Sequence, residues 1–368
     1  MRPTDDEITT TGKAFRGGGA VVEALSYEAV ARMIVARRRV EGAAAVLLPY
    51  RPDGVPDLDG FSRLVAHIAA QGLIPAVNMD TGYVDLLSPA ERGQVLQEAA
   101  RTLAGRPFIA GVYVGDDPGD LAGAYRRDAD RIRELGGLPI LFPCARLRAM
   151  APGEQLDVYR RVAAGGGPLL AFELSPMFTP AGFLFSEELY RGIVELPEFV
   201  GMKHSSLSRR LEWQRLDVRN RVRKEFRIYT GNDLAIDMVI YGSDYLLGLA
   251  AFVPEAFALR DDLWEAGDVR FFELNDALQY LGQFAFRPPV PAYKHSAAQF
   301  LHLLGRITSD APHPGALKRP DSDRLVLEEI ARRLQGLMDV IRARPHEGEA
   351  GQGEDRKGGV RKPGGSAP

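Results

Sequence analysis

The sequence is short of cysteine, of long apolar runs and of excess positive charge, and each shortage removes a class of protein. Its single cysteine, Cys144, excludes an intramolecular disulfide and a zinc site built from several cysteines. That usage fits a reducing compartment, so a cytoplasmic location is expected. No uninterrupted apolar stretch approaches the roughly 18 residues needed to span a bilayer. Residues 1–19 carry Asp5, Asp6 and Glu7 and then Gly17 to Gly19, without the apolar run of a signal peptide. No membrane contact and no secretion are expected. Lys and Arg total 46 against 49 Asp and Glu, a formal charge of −3 that supplies no basic field for nucleic acid.

What remains is the balance of a globular protein: 368 residues, 45% hydrophobic and 26% charged, enough to bury a large core. Residues 345–368 are rich in Gly, Lys, Arg and Glu, with Val360 as the one sizeable apolar residue, and read as a disordered tail; residues 1–22 read as a flexible N-terminus. Between them, eight short apolar runs begin at Ala44, Leu73, Phe108, Leu138, Pro168, Phe199, Phe226 and Tyr245. The segments separating them have helical period. From Asp57, for example, Phe61, Leu64, Val65 and Ile68 fall on one face, and Ser88-Pro89 followed by Glu91 forms a helix-start signal. Strict alternation of eight such units predicts an α/β fold, a (β/α)8 TIM barrel over residues 23–253, with a doubly wound sheet as the alternative. Tyr27 to Ala43 is expected to form a helix, with Ala29, Ile34 and Val35 flanking the barrel bottom. Residues 254–344, with Trp264, Phe271, Phe272, Leu278, Leu281 and Phe284, read as the last barrel helix and a C-terminal helical extension.

Active sites of such barrels sit at the C-terminal strand ends, so the polar residues closing each run are the candidates. They are Asp80 and Thr81, Asp116 and Asp117, Arg146 and Arg148, Glu173 and Ser175, Lys203 and Ser205, and Asn232 and Asp233. Lys203 interrupts an apolar strand, where its desolvation is costly unless its pKa falls or it is paired. Period-2 alternation puts Phe199, Gly201, Lys203 and Ser205 on one face, with Val200, Met202 and His204 on the other, against the helices. A lysine pointing into the barrel with a neutral amine can attack a carbonyl to form a Schiff base. A strand-end lysine paired with an aspartate is the alternative. The Asp116-Asp117 pair reads as a helix cap, the scattered histidines support no metal centre, and Gly17 to Gly19 lacks the following helix of a phosphate loop.

With those residues in view, the chain resembles the dihydrodipicolinate synthase and N-acetylneuraminate lyase superfamily. GMKHSS around Lys203 is similar to that family's Gly-Ile-Lys-Glu-Ala/Ser-Ser segment, whose lysine forms the Schiff base. YTGNDLAIDMVIYGSDYLLGLAAFVPEAF resembles its Gly-Asn-Asp, Gly-Ala-Asp-Gly and Asn-Val-Phe-Pro sequence, and RPPVPAYKHSAAQFLHLLG its C-terminal Asn-Pro-hydrophobic-Pro-Val-Lys segment. The resemblance implies Lys203 as the covalent residue, with Thr81, Gly82, Phe172, Ser205, Gly231 and Asn232 about the substrate. It also implies a homo-oligomer, dimer or tetramer, with no cofactor. Departures accompany it. The carboxylate-binding Gly-Thr-Thr-Gly-Glu loop is Met79-Asp80-Thr81-Gly82-Tyr83 here, Phe172 stands where a strand 5 tyrosine relays protons, and Pro143-Cys144-Ala145-Arg146 lacks the tyrosine supplied to a neighbouring subunit. Asp80 is therefore expected to reach Lys203 and replace the relay, and Arg146 to bind an anionic group. Glu173 is the second acid candidate if a one-residue shift turns it inward, and otherwise a buried partner of Arg or Lys. The expected function is a Schiff-base lyase, aldolase or dehydratase, acting on a small 2-oxo acid or sugar-acid-like carbonyl compound, and not authentic dihydrodipicolinate synthase. The alternative is a catalytically degenerate barrel that binds a metabolite as a regulatory or accessory protein.

Overall fold

A computed structural model describes residues 25–115 and 119–343. Eight strands follow the eight apolar runs: β1 Gly42–Ala45, β2 Ile74–Val77, β3 Phe108–Val112, β4 Gly137–Leu141, β5 Leu169–Leu174, β6 Phe199–Ser205, β7 Arg227–Thr230 and β8 Asp244–Leu247. Each pairs in parallel with the next, and β1 pairs with β8, so the sheet closes in the order β1 to β8. The fold is a (β/α)8 TIM barrel with additional C-terminal helices. Closure buries both strand faces, one in the barrel interior and one against the helices. That is why these runs are continuously apolar instead of alternating; β1, β3 and β5 are buried along their whole length.

The helices are α1 Tyr27–Ala31, α2 Leu58–Ala70, α3 Pro89–Leu103, α4 Leu121–Glu134, α5 Ala145–Ala149, α6 Pro152–Ala163, α7 Glu187–Glu195, α8 Arg209–Val222, α9 Pro254–Ala266, α10 Arg270–Ala285, α11 Tyr293–Leu303 and α12 Asp323–Ala343. Asp57 caps α2 by accepting from the Gly60 N–H, and Phe61, Leu64, Val65 and Ile68 are its buried face. Ser88 and Glu91 close a reciprocal capping box at α3, with Ser88 N–H to Glu91 at 2.7 Å and Glu91 N–H to Ser88 Oγ at 3.2 Å.

Two expectations are corrected. The N-terminal helix is a single turn, Tyr27–Ala31, with no buried residue, and Ile34 and Val35 are 50% and 44% exposed. Arg37 takes a positive φ of 56° and the chain then runs straight into β1, so helical spacing there has no packing face behind it. Between β7 and β8 the crossover is a 3-10 turn, Ile236–Tyr241, where a helix was expected; the loop is too short for a full α-helix plus its connections.

Beyond β8 the aromatic residues divide. Trp264 and Phe271 are buried and packed on each other with centroids 4.8 Å apart, while Phe272 is 52% exposed. Helix α11 is unusual because Tyr293 to Leu301 are all buried, polar Lys294, His295, Ser296 and Gln299 among them. A helix enclosed on every side must find partners for such groups within the protein. His295 Nδ1 accepts from the Arg319 N–H at 2.7 Å, and the partners of Tyr293 and Lys294 lie at the barrel mouth.

Candidate active site

Register and alternation on β5 and β6 place the reactive amine. Phe172 pairs with Lys203 and Glu173 with His204. The Lys203 Nζ lies 4.6 Å from the Phe172 ring centroid, and Phe172 in turn sits edge-on to Phe142 at 4.9 Å. Lys203 is 7% exposed and, among the described residues, its amine makes that ring contact and no hydrogen bond or ion pair. Burial lowers its pKa to about 8, against the opposing fields of Asp233 and then Asp80. The room for this side chain comes from β7: a Cβ on Gly231 would stand 2.7 Å from Lys203 Cε and 2.0 Å from Ser205 Oγ. Gly231 is thus required by close approach, and Ser205 lies beside the lysine stem.

The loop after β2 forms one 3-10 turn, Asp80–Gly82, with all three residues buried. Asp80 Oδ1 pairs with Lys294 Nζ at 2.9 Å, and Oδ2 accepts the Tyr293 hydroxyl at 2.8 Å. Thr81 Oγ1 is also 2.8 Å from the Tyr293 oxygen; with the phenol proton on Asp80, Thr81 is the donor there. Tyr293 stacks on Phe286, centroids 4.3 Å apart and planes at 16°. Gly248, after β8, leaves the space: a Cβ there would meet the Tyr293 and Phe286 rings and Thr81 Oγ1 at 3.1–3.2 Å. Burial first, and the Asp80 charge next, hold the phenol well above its ordinary pKa, so it is a protonated donor. Asp233 follows β7, accepts the Leu249 N–H at 2.8 Å, and is pushed up by burial to about 7.

The structure thus brings Lys203, Phe172, Ser205 and Gly231 into one cluster and Asp80, Thr81 and Gly82 into a second; Asp80, expected to reach Lys203, bonds to Lys294 and Tyr293 instead and acts on the amine only as the weaker of two carboxylate charges. Asn232 is buried at the same barrel end, its side-chain oxygen accepting the Leu234 N–H at 3.2 Å. Arg146 opens α5, half-buried, and donates to the Gly119 carbonyl at 2.9 Å. Asp116 and Asp117 lie outside the described residues, and among those described no three His, Cys, Asp or Glu side chains are grouped to hold a metal ion.

Glu173 is corrected as a substrate contact. The one shift in the β5–β6 register lies between Leu169 and Leu170, ahead of Glu173, and does not turn it inward; Glu173 leaves the barrel interior with His204, and its oxygens are occupied by Arg215 at 2.7 and 3.1 Å, His204 Nδ1 at 2.5 Å and the Phe185 N–H at 2.8 Å. Ser206 Oγ closes the far side of the ring at 2.6 Å from His204 Nε2. Burial opposes ionisation of Glu173, but the Arg215 and His204 charges prevail and hold its carboxyl well below the usual range. The site also holds two residues that were not among the candidates. Tyr293 and Lys294 enter it from α11, and the one sequence sign of them was a Tyr-Lys pair set among apolar residues and prolines in PVPAYKHS.

This barrel, with a lysine on β6 and its polar groups at the strand ends, shares the fold of solved dihydrodipicolinate synthase structures. The chain belongs to the family described as protein of unknown function DUF993, whose profile matches residues 115–311, more than half of its length. It is similar to a 4-hydroxy-tetrahydrodipicolinate synthase from Xanthomonas axonopodis pv. citri (strain 306), 27% identical over 306 residues, covering 78% of this chain and 96% of that protein. The fold also matches the pyruvate complex of a prophage protein of the dihydrodipicolinic acid synthase family from E. coli K12, with TM-score 0.68, 17% identity, and 80% and 98% of the two chains covered. Dihydrodipicolinate synthase from Thermotoga maritima matches with TM-score 0.67, 17% identity, and 81% and 99% covered.

Proposed function

We propose that the protein is a Schiff-base lyase of the aldolase or dehydratase type, acting through Lys203 on a small 2-oxo acid or sugar-acid-like carbonyl compound. One observation carries the reading: a buried lysine amine on an aromatic wall, without a hydrogen-bond partner among the described residues and with its pKa lowered to about 8. At pH 7 about a tenth of such an amine is neutral, against well under a thousandth at the ordinary lysine value. Attack on the substrate carbonyl and loss of water give an iminium, which draws electrons from the neighbouring carbon and labilises a carbon-carbon or carbon-oxygen bond. The lysine itself supplies the electrophile, so no cofactor is required. The likeness to a 4-hydroxy-tetrahydrodipicolinate synthase supports lyase chemistry in general. Phe172 on β5 offers no proton, which argues against that particular condensation.

The test is incubation with a panel of oxo acids and sugar-derived carbonyl compounds, reduction with borohydride, and peptide mass analysis. The expected result is a reduced adduct on Lys203 that is absent from Lys203→Ala. No adduct across the panel would overturn the reading and favour a metabolite-binding barrel without turnover, which the aromatic Phe172 and the short side chain of Ala145 would then mark.

We also infer a homo-oligomer in the cytoplasm. Phe272 and Tyr280 lie two turns apart on α10, 52% and 55% exposed, two aromatic side chains that a second copy would cover. Among the described residues no helix is long and apolar enough to cross a membrane. Light scattering that returned a monomer would remove the assembly.

A further inference from the structure

The Lys203 chemistry uses the inward face of β6, while the outward face carries a second line of polar groups in which every link is a hydrogen bond. Glu173 Oε2 meets His204 Nδ1 at 2.5 Å, and His204 Nε2 meets Ser206 Oγ at 2.6 Å. Arg215, at 2.7 and 3.1 Å, keeps Glu173 ionised, and an ionised carboxylate can only accept. The proton of the neutral imidazole therefore sits on Nδ1, Nε2 is an acceptor, and the Ser206 hydroxyl donates to it. The other acceptor in reach of that hydroxyl, the Ser208 carbonyl, is farther away at 3.4 Å. The charges of this group saturate one another, and the one proton aimed at a base is that of Ser206.

We propose that Ser206 is a second nucleophile, which takes the acyl group of a small carboxylic ester, with His204 as its base and Glu173 holding that base in place. The proposal stands apart from the Schiff-base reading and does not depend on it. A serine within hydrogen-bond reach of an imidazole whose far nitrogen is fixed by an acid is the arrangement that serine acylation requires. Glu173 and His204 are fully buried and Ser206 is 8% exposed, so the hydroxyl is the end of the line nearest solvent. The turn that follows fixes its oxygen: Leu207 takes a φ of 59°, uncommon for a leucine, and the Ser208 N–H donates to Ser206 Oγ at 3.1 Å. Ser208 caps α8, and the N–H groups of Arg209 and Arg210 precede the first bonds within that helix, which makes them donors for a carbonyl oxygen as it becomes negative. The step balances. Ser206 Oγ bonds to the ester carbon as its proton passes to His204 Nε2, the bond to the alcohol oxygen breaks, and the alcohol leaves with that proton. Water then attacks the acyl group by the same route, which releases the carboxylic acid and returns the proton to Ser206, with no oxidant or reductant.

The experiment treats the full chain with a biotinylated fluorophosphonate, which phosphonylates an activated serine with loss of fluoride, and in parallel follows p-nitrophenol release from p-nitrophenyl acetate. The label is located by fragmentation of tryptic peptide 204–209, which contains Ser205, Ser206 and Ser208. Acetylation of Lys203 blocks cleavage ahead of that peptide, so reaction at the lysine is told apart from reaction at the serine. The expected result is a label on Ser206 in the folded chain, absent after unfolding in urea and absent from Ser206→Ala. Steady p-nitrophenol release is expected to fall about 100-fold in Ser206→Ala, and labelling to slow by a similar factor in His204→Gln, which keeps an amide but no base. Ser206→Ala replaces one small side chain at the end of the line, so it carries the test should His204→Gln fail to fold. An unlabelled natural chain, a label on Ser205 or Ser208, or undiminished release by Ser206→Ala would overturn the proposal and leave the Lys203 adduct untouched. A folded His204→Gln labelled at the natural rate would remove His204 as the base and overturn it as well.

Discussion

Two ionisable clusters lie back to back across β5 and β6, and they are built on opposite principles. Outside the barrel, Glu173, His204 and Arg215 saturate one another: both carboxylate oxygens, both ring nitrogens and the guanidinium all have partners. Inside, one residue along each strand, Lys203 meets the face of Phe172 and no hydrogen-bond partner among the described residues. Both are buried, so burial alone does not mark a reactive group. What separates them is whether the charge is satisfied. A complete ring holds two strands in register, and an incomplete one leaves an amine whose pKa and bonding a substrate can still change.

The contrast can be broken from either side. Glu173→Ala would strand Arg215 and His204 in the protein interior, and a loss of about 3–5 kcal/mol in denaturant unfolding is expected. A near-neutral result would mean that the outer ring is not what holds this region. Lys203→Met should act in the opposite sense. The folded pKa of Lys203 lies near 8, below the ordinary 10.5, so burial of the charged amine is a cost fully present below pH 8. That cost fades as pH rises from 8 toward 10.5, where the unfolded chain deprotonates too. The methionine variant is therefore expected to be more stable by up to about 3 kcal/mol at pH 7, the gain disappearing by about pH 10.5. A variant less stable at pH 7 would show that Lys203 is satisfied after all.

A smaller effect sharpens the inner cluster. Asp233 is the stronger of the two carboxylate fields that raise the Lys203 pKa against burial. Asp233→Asn keeps an acceptor for the Leu249 N–H but removes the charge, so the amine should lose its proton more readily. The labelling rate of the natural chain should rise with pH through about 8, and the midpoint in Asp233→Asn should move to lower pH. An unchanged midpoint would separate Asp233 from the amine.

The strands were legible because parallel barrel strands are buried on both faces, and a buried strand can only be a short apolar run. Lys203 was legible for the same reason, as a charge where none is tolerated by default. Alternation also assigned His204 to the helix side, yet it could not show that Glu173 and Arg215 wait there, since Arg215 lies on α8, 42 positions from Glu173. Tyr27 to Ala43 misled because helical spacing is necessary for a packed helix but does not supply the surface to pack on.

Local spacing by itself thus determined the barrel, its strand order and the inward lysine, because backbone geometry repeats every two residues in a strand and every 3.6 in a helix. It could not determine what faces that lysine. Tyr293 and Lys294 join Asp80 from more than 200 positions away. Only the return of α11 over the barrel mouth, with Gly248 leaving room for the ring, decided that a phenol and a second amine stand in the site. Such contacts depend on how finished elements pack, and packing is a property of surfaces that no stretch of sequence contains alone.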